Sequence, residues 1–203
     1  MHKASLMAIL SVAVFLALSA SSAEGDNQYV GSDKCKLCHN AASKGDPYGV
    51  WLKEGHHKAY ETLAGEEAKK IAKDKNIADP QKDKTCLVCH ETAYEAPAAL
   101  KGKKFDATQG VQCESCHGPG GNHVKARQAA EEDESGKVIQ IGKGEIVHFP
   151  PPETCKQCHN EKSPNYKPFD YTAFVKKIAH LDPRRNHPAD FLDKLEAETK
   201  DKK

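Results

Sequence analysis

All eight cysteines of this 203-residue chain fall into four copies of one pattern, C-x-x-C-H, and none is left over. The copies are CKLCH (Cys35 to His39), CLVCH (Cys86 to His90), CESCH (Cys113 to His117) and CKQCH (Cys155 to His159). This spacing is the attachment signature of c-type haem. Two thiols form thioethers with two vinyl groups on one edge of a porphyrin, so they must reach two corners of that edge. The next residue then returns its imidazole to the iron as an axial ligand. Four covalently attached haems are therefore expected. Cys35, Cys38, Cys86, Cys89, Cys113, Cys116, Cys155 and Cys158 would tether them, and His39, His90, His117 and His159 would be the proximal ligands.

Two other uses of cysteine explain less. Four disulfides suit an exported chain, but they give no reason for a histidine after every second cysteine. Structural zinc also uses C-x-x-C pairs, but it does not need the histidine adjacent four times. Composition agrees with a cofactor-filled interior. Only 38% of residues are hydrophobic and 6% aromatic, against 29% charged. Such a chain would ordinarily be read as disordered; four macrocycles would supply the core that its side chains lack. The 30 basic and 29 acidic residues nearly cancel, which argues against a nucleic-acid partner.

Residues 1–23 read as a secretory signal peptide. Lys3 precedes the apolar run LMAILSVAVFLALSA, and the small residues Ser21, Ser22 and Ala23 follow it. The run is short for a membrane span, which needs about 20 residues. Cleavage after Ala23 is expected, leaving no stable membrane span and a periplasmic or otherwise extracytoplasmic protein; an uncleaved anchor is the alternative. The first cysteine is Cys35, so a lipid anchor on a new N-terminal cysteine is not expected. Residues 24–188 then form one tetrahaem domain, and 189–203 a charged tail.

Helices are expected between the motifs. GDPYGVWLKEGHHKAYETL reads as one helix, with Asp46 as cap and Pro47 at its first position. EEAKKIAKDKNIADPQKDK is highly charged and reads as a solvated helix ending before Pro80. GNHVKARQAAEEDE reads as a helix capped by Asn122. SGKVIQIGKGEIVHFPPP is loop with room for a short strand. Tyr171 to Leu181 reads as a helix stopped by Pro183.

Second axial ligands must come from His56, His57, His123, His148, His180 and His187. On a continuous helix Leu52, His56, Tyr60 and Leu63 share an apolar stripe, whereas His57 falls with Lys53 and Glu61 on a solvated face. His56 is therefore favoured over His57. His123 follows His117 by a segment that stretches about 20 Å at most, so a neighbouring haem suits it better than its own. His180 lies opposite the stripe Tyr171, Phe174, Ile178 and Leu181, and helical phase does not nominate it. His148 lies close in sequence to the fourth motif, and His187 lies in a loop before a proline.

Together VGSDKCKLCH, WLKEGHHKAYETL, CESCHGPGGNH, HFPPPETCKQCH and FVKKIAH make the chain resemble the cytochrome c-554 family of tetrahaem cytochromes, over nearly its whole length after residue 23. The resemblance implies a mainly α, irregular fold with a haem-packed core and little β structure. It implies that His56 ligates the fourth haem, His123 the first and His180 the third. The second haem, on His90, would lack a second protein ligand, or take His148, His187 or Lys167. The expected function is electron transfer between redox partner proteins rather than enzyme catalysis. Reduction or binding of a nitrogen oxide at a five-coordinate second haem is the alternative, and a place in a larger redox complex is a third reading.

Overall fold

The computed structural model describes residues 27–131 and 140–185. The segment expected to be a signal peptide, the charged tail and His187 lie outside them. The described residues form short α-helices and single 3₁₀ turns joined by irregular chain. Among them, extended pairing amounts to one isolated bridge, between Tyr29 and Lys101. The fold is thus mainly α.

Every motif lies on a helix or directly after one. Helices α1 (Ser32–His39), α5 (Lys84–His90) and α6 (Cys113–His117) carry the first three. The fourth begins on α8 (Pro152–Lys156) and finishes in the turn that follows. A helical turn serves the chemistry, because residues three and four apart share a face. The first cysteine and the histidine of each motif are four apart.

The segment 46–63 is not one helix. Asp46 accepts a hydrogen bond from Gly49 N–H and Pro47 opens α2 (Pro47–Lys53), as expected, but Glu54 is extended. A 3₁₀ turn over Gly55–Lys58 and the short α3 (Ala59–Thr62) follow. The break voids the stripe drawn through it, and Leu52 is 44% exposed. The solvated helix is α4 (Glu66–Asp74), which buries Ala72 and ends before Pro80. The next helix, α7 (Gly121–Glu131), contains Asn122 rather than being capped by it. Its first turn is satisfied from afar: Asn122 N–H donates to Asn27 Oδ1 and Gly121 N–H to the Gln28 carbonyl. Among the described residues of the loop before α8 no strand forms. Finally, α9 (Tyr171–Ile178), capped by Asp170, stops three residues earlier than expected, and Ala179 is extended.

The polypeptide interior is polar. Among the described residues, the buried hydrophobic side chains are Leu63, Ala72 and Leu87, beside the buried polar Ser32, Thr92, Gln112, Glu114 and Thr172. Burying polar groups is tolerable only if they are hydrogen-bonded. Here Ser32, Thr92, Gln112 and Glu114 form a hub around α6. Gln112 accepts from Ser32 N–H and donates to the Asp106 carbonyl. Thr92 Oγ1 accepts from Gln112 N–H and donates to the Gly110 carbonyl. Glu114 accepts from the N–H groups of Val30, Gly31 and Gly120. This hub ties residues 27–32 to residues 106–122 and holds the first motif against the third.

Candidate functional site

The imidazoles meet in pairs. His39 faces His123 with ring centroids 6.0 Å apart, His56 faces His159 at 6.1 Å, and His117 faces His180 at 5.8 Å. An iron about 2 Å from each of two imidazole nitrogens, with about 1 Å more from nitrogen to ring centre, sets the centroids about 6 Å apart. Each pair therefore has the span that one iron with two axial histidines requires. Each also joins a motif histidine to a histidine from another part of the chain. Zinc would need ligands in fours, and among the described residues no group of three or more His, Cys, Asp or Glu side chains converges on one metal position.

The outer nitrogens are held in a consistent way. His90 Nδ1–H donates to the Ala59 carbonyl at 2.6 Å, and His117 Nδ1–H to the Val147 carbonyl at 2.6 Å. His180 Nδ1–H donates to the Ile178 carbonyl at 2.8 Å. His123 Nδ1 instead meets the Glu145 carboxylate at 3.0 Å. A donor on Nδ1 leaves the Nε2 lone pair for a metal. Burial pushes His39 down to about 4 and also lowers His56, His117 and His159. These four are thus neutral near pH 7, the form that binds iron.

Local structure explains the placement of His56 and His180. His56 sits on the 3₁₀ turn, and its carbonyl accepts from Val111 N–H at 3.0 Å. Gly110 has φ +74°, and a Cβ there would lie 2.8 Å from the His56 carbonyl oxygen. A side chain at 110 would push the His56 turn away. His57 is not on a solvated face: its Nδ1 bonds the Glu54 carbonyl and its ring packs on Trp51 at 5.6 Å. Trp51 in turn donates Nε1–H to the Val111 carbonyl. His180 lies beyond the end of α9, which is why helical phase could not find it. There Gly45, at φ +85°, passes so close to the His180 and Leu181 carbonyls that a Cβ would clash.

Among the described residues no second imidazole faces His90. His148 is exposed and packs on Phe149 at 4.2 Å. Lys167 lines a cavity with Cys158, His159, Phe169 and Phe174, beside the fourth motif.

None of the eight cysteines is in a disulfide. Instead, thiols of different motifs approach one another. Cys35 lies beside Cys113, and this proximity raises Cys35 and lowers Cys113. Cys89 likewise lies beside Cys158, which brings Cys89 down to about 7 and raises Cys158. Burial, then the nearby Cys155, pushes Cys116 up to about 11. Neighbouring motifs thus run first, third, fourth, second in space.

Comparison with known proteins gives the family of the chain. Residues 34–118 match the family described as cytochrome c554 and c-prime. Cytochrome c-554 of Nitrosomonas europaea is 36% identical over 165 residues, covering 74% of this chain and 66% of that protein. The chain belongs to the cytochrome c-554 family. As a family member it is a c-type cytochrome, and covalently bound haem c goes with that membership. No solved structure matches the chain significantly. The family match takes in three of the four motifs together with His56; His123, His180 and the fourth motif lie beyond it.

Proposed function

We propose that the chain is an exported tetrahaem cytochrome that carries electrons between redox partner proteins. The observation that carries this reading is the set of three cross-chain imidazole pairs, each about 6 Å between centroids. Haem c supplies one-electron ferric–ferrous chemistry where it is bound. The chain's part is to tether, ligate and pack. The eight motif cysteines are the tethers. His39 with His123, His117 with His180, and His159 with His56 would hold the irons of the first, third and fourth haems. Phe169 stacks on His159 at 4.8 Å, and Phe174 on Phe169 at 5.1 Å, walling the fourth site. The contacts between motifs make a continuous series, which suits a carrier that accepts at one end and donates at the other. No helix among the described residues is long and apolar enough to cross a membrane. Residues 24–188 are read as one domain behind a cleaved signal peptide, in the periplasm or another extracytoplasmic space.

A second reading concerns His90. It is oriented by Ala59 as a ligand would be, yet faces no imidazole among the described residues. An iron held there would be open to a small molecule such as nitric oxide, and reduction or binding of a nitrogen oxide would follow.

Haem counting and spin state test both readings. A pyridine haemochrome assay is expected to give four haems per chain, and the ferric protein three low-spin haems and one high-spin. Fewer than four haems would refute the tetrahaem reading. An entirely low-spin protein that ignores carbon monoxide when reduced would refute the open site and leave the carrier.

A further inference from the structure

The Nδ1 atoms of His90, His117 and His180 all bond neutral backbone carbonyls, but that of His123 bonds a carboxylate. Glu145 Oε2 lies 3.0 Å from His123 Nδ1, with the two side chains only 13% and 15% exposed. On α7, His123 and Arg127 are four residues apart and share a face. Arg127 places one guanidinium nitrogen 2.8 Å from Glu145 Oε1 and 2.9 Å from Oε2. Gly142 N–H also donates to Oε1, at 2.6 Å. Every contact holds the carboxylate in its charged form.

A carboxylate on the outer nitrogen makes an imidazole more electron-donating than a carbonyl does, and this second shell tunes the metal. Donation and nearby negative charge both favour ferric over ferrous iron, and hydrogen bonding around the ligands is one of the protein's levers on haem potential. A nearby guanidinium acts the other way.

We propose that Glu145 and Arg127 form a charge pair that sets the potential of the iron held between His39 and His123, the carboxylate lowering it and the guanidinium limiting the fall. The proposal rests on the reading that His123 is an axial ligand. It makes the first haem site different in kind from the other three. Glu145 and Arg127 are positioning and tuning residues here, since neither touches the iron site.

The test uses the full holoprotein and three variants: His123→Ala, Glu145→Gln and Arg127→Gln. His123→Ala identifies the haem, as the one that turns from low-spin to high-spin. Potentiometric titration followed at that haem's spectroscopic signature then reads the effect. Glu145→Gln is expected to raise its midpoint by about a tenfold change in redox equilibrium, or about 59 mV, while it stays low-spin. Arg127→Gln is expected to lower the same midpoint. A merely structural pair would move both variants in one direction, or all four haems alike, and either result overturns the proposal. So does an unshifted midpoint in Glu145→Gln. If Glu145→Gln yields no holoprotein, the sign of the shift in Arg127→Gln decides. If His123→Ala leaves every haem low-spin, the ligand reading fails first and this proposal with it, an outcome distinct from loss of the charge effect alone.

Discussion

His90 and His117 begin alike and end differently. Each closes a C-x-x-C-H helix, and each donates Nδ1–H to a backbone carbonyl at 2.6 Å. His117 then faces His180 at 5.8 Å, while His90 faces no imidazole among the described residues. Their helices are held differently too. Asp83 caps α5 locally, accepting from Thr85 N–H at 2.8 Å. No side chain caps α6; it is anchored instead by Glu114, Gln112 and Thr92, which reach into distant parts of the chain. On the proposed reading, the motif specifies tethering and proximal ligation wherever it occurs. What happens at the opposite axial position is decided by remote segments.

The strongest way to break the difference is to remove the remote ligand. His180→Ala is expected to convert the His117 site into a second His90 site. A further haem in four would become high-spin in the ferric protein and bind carbon monoxide when reduced. His56→Ala should do the same at His159. His57→Ala should not, because His57 is engaged with Glu54 and Trp51. Magnetic circular dichroism or electron paramagnetic resonance would count the irons. No gain of high-spin iron in His180→Ala would mean that the 5.8 Å pairing has no ligand role.

A smaller effect is expected from the anchor of α6. Burial pushes the Glu114 carboxyl above the ordinary glutamate value, against the pull of the Val30, Gly31 and Gly120 N–H groups. A raised native value means that the folded chain holds this proton more tightly than the unfolded chain. Its contribution to stability is therefore full below the ordinary glutamate value and is lost as pH rises through the native one. Glu114→Gln has no such dependence. It also turns an amide donor toward backbone donors, at a cost of about 1–3 kcal/mol. The variant's deficit against the parent should be larger near pH 4 than near pH 7, in denaturant titrations at both values. A deficit that grows toward pH 7 would contradict the direction of the shift.

Much of this contrast was legible in the sequence, and the rest failed for a common reason. The four motifs, the Asp46 and Pro47 start of α2, and α4 depend on neighbours in sequence, and local chemistry finds them. The break at Glu54 does not, because it serves the packing of Trp51 on His57 and of Gly110 under the His56 carbonyl. The stripe through Leu52 singled out His56 on a helix that does not continue. His180 was unreadable by phase because α9 ends at Ile178, and Gly45 packs against the chain beyond it. Glu145 gave no signal at all: it is one acidic residue in a loop, and its role comes from α7 folding back over it. The polar hub of Gln112, Thr92 and Glu114 was equally hidden, since each partner lies far along the chain.

The mildest expected effect falls on the other side of the comparison. Asp83 Oδ1 accepts both Thr85 N–H and Thr85 Oγ1–H, and it is the side-chain cap of α5. Replacing such a cap by alanine costs about 1 kcal/mol. Because this cap acts within α5, Asp83→Ala should loosen the His90 site most. The midpoint of chemical unfolding would fall slightly, with the spectra of the three paired sites unchanged. Because α6 is fastened through the hub, Glu114→Gln should disturb the His117 and His39 sites together. If Asp83→Ala perturbed a paired site as much as Glu114→Gln does, the second motif would be as dependent on long-range anchoring as the third. The distinction between a helix capped locally and one anchored by remote segments would then fall.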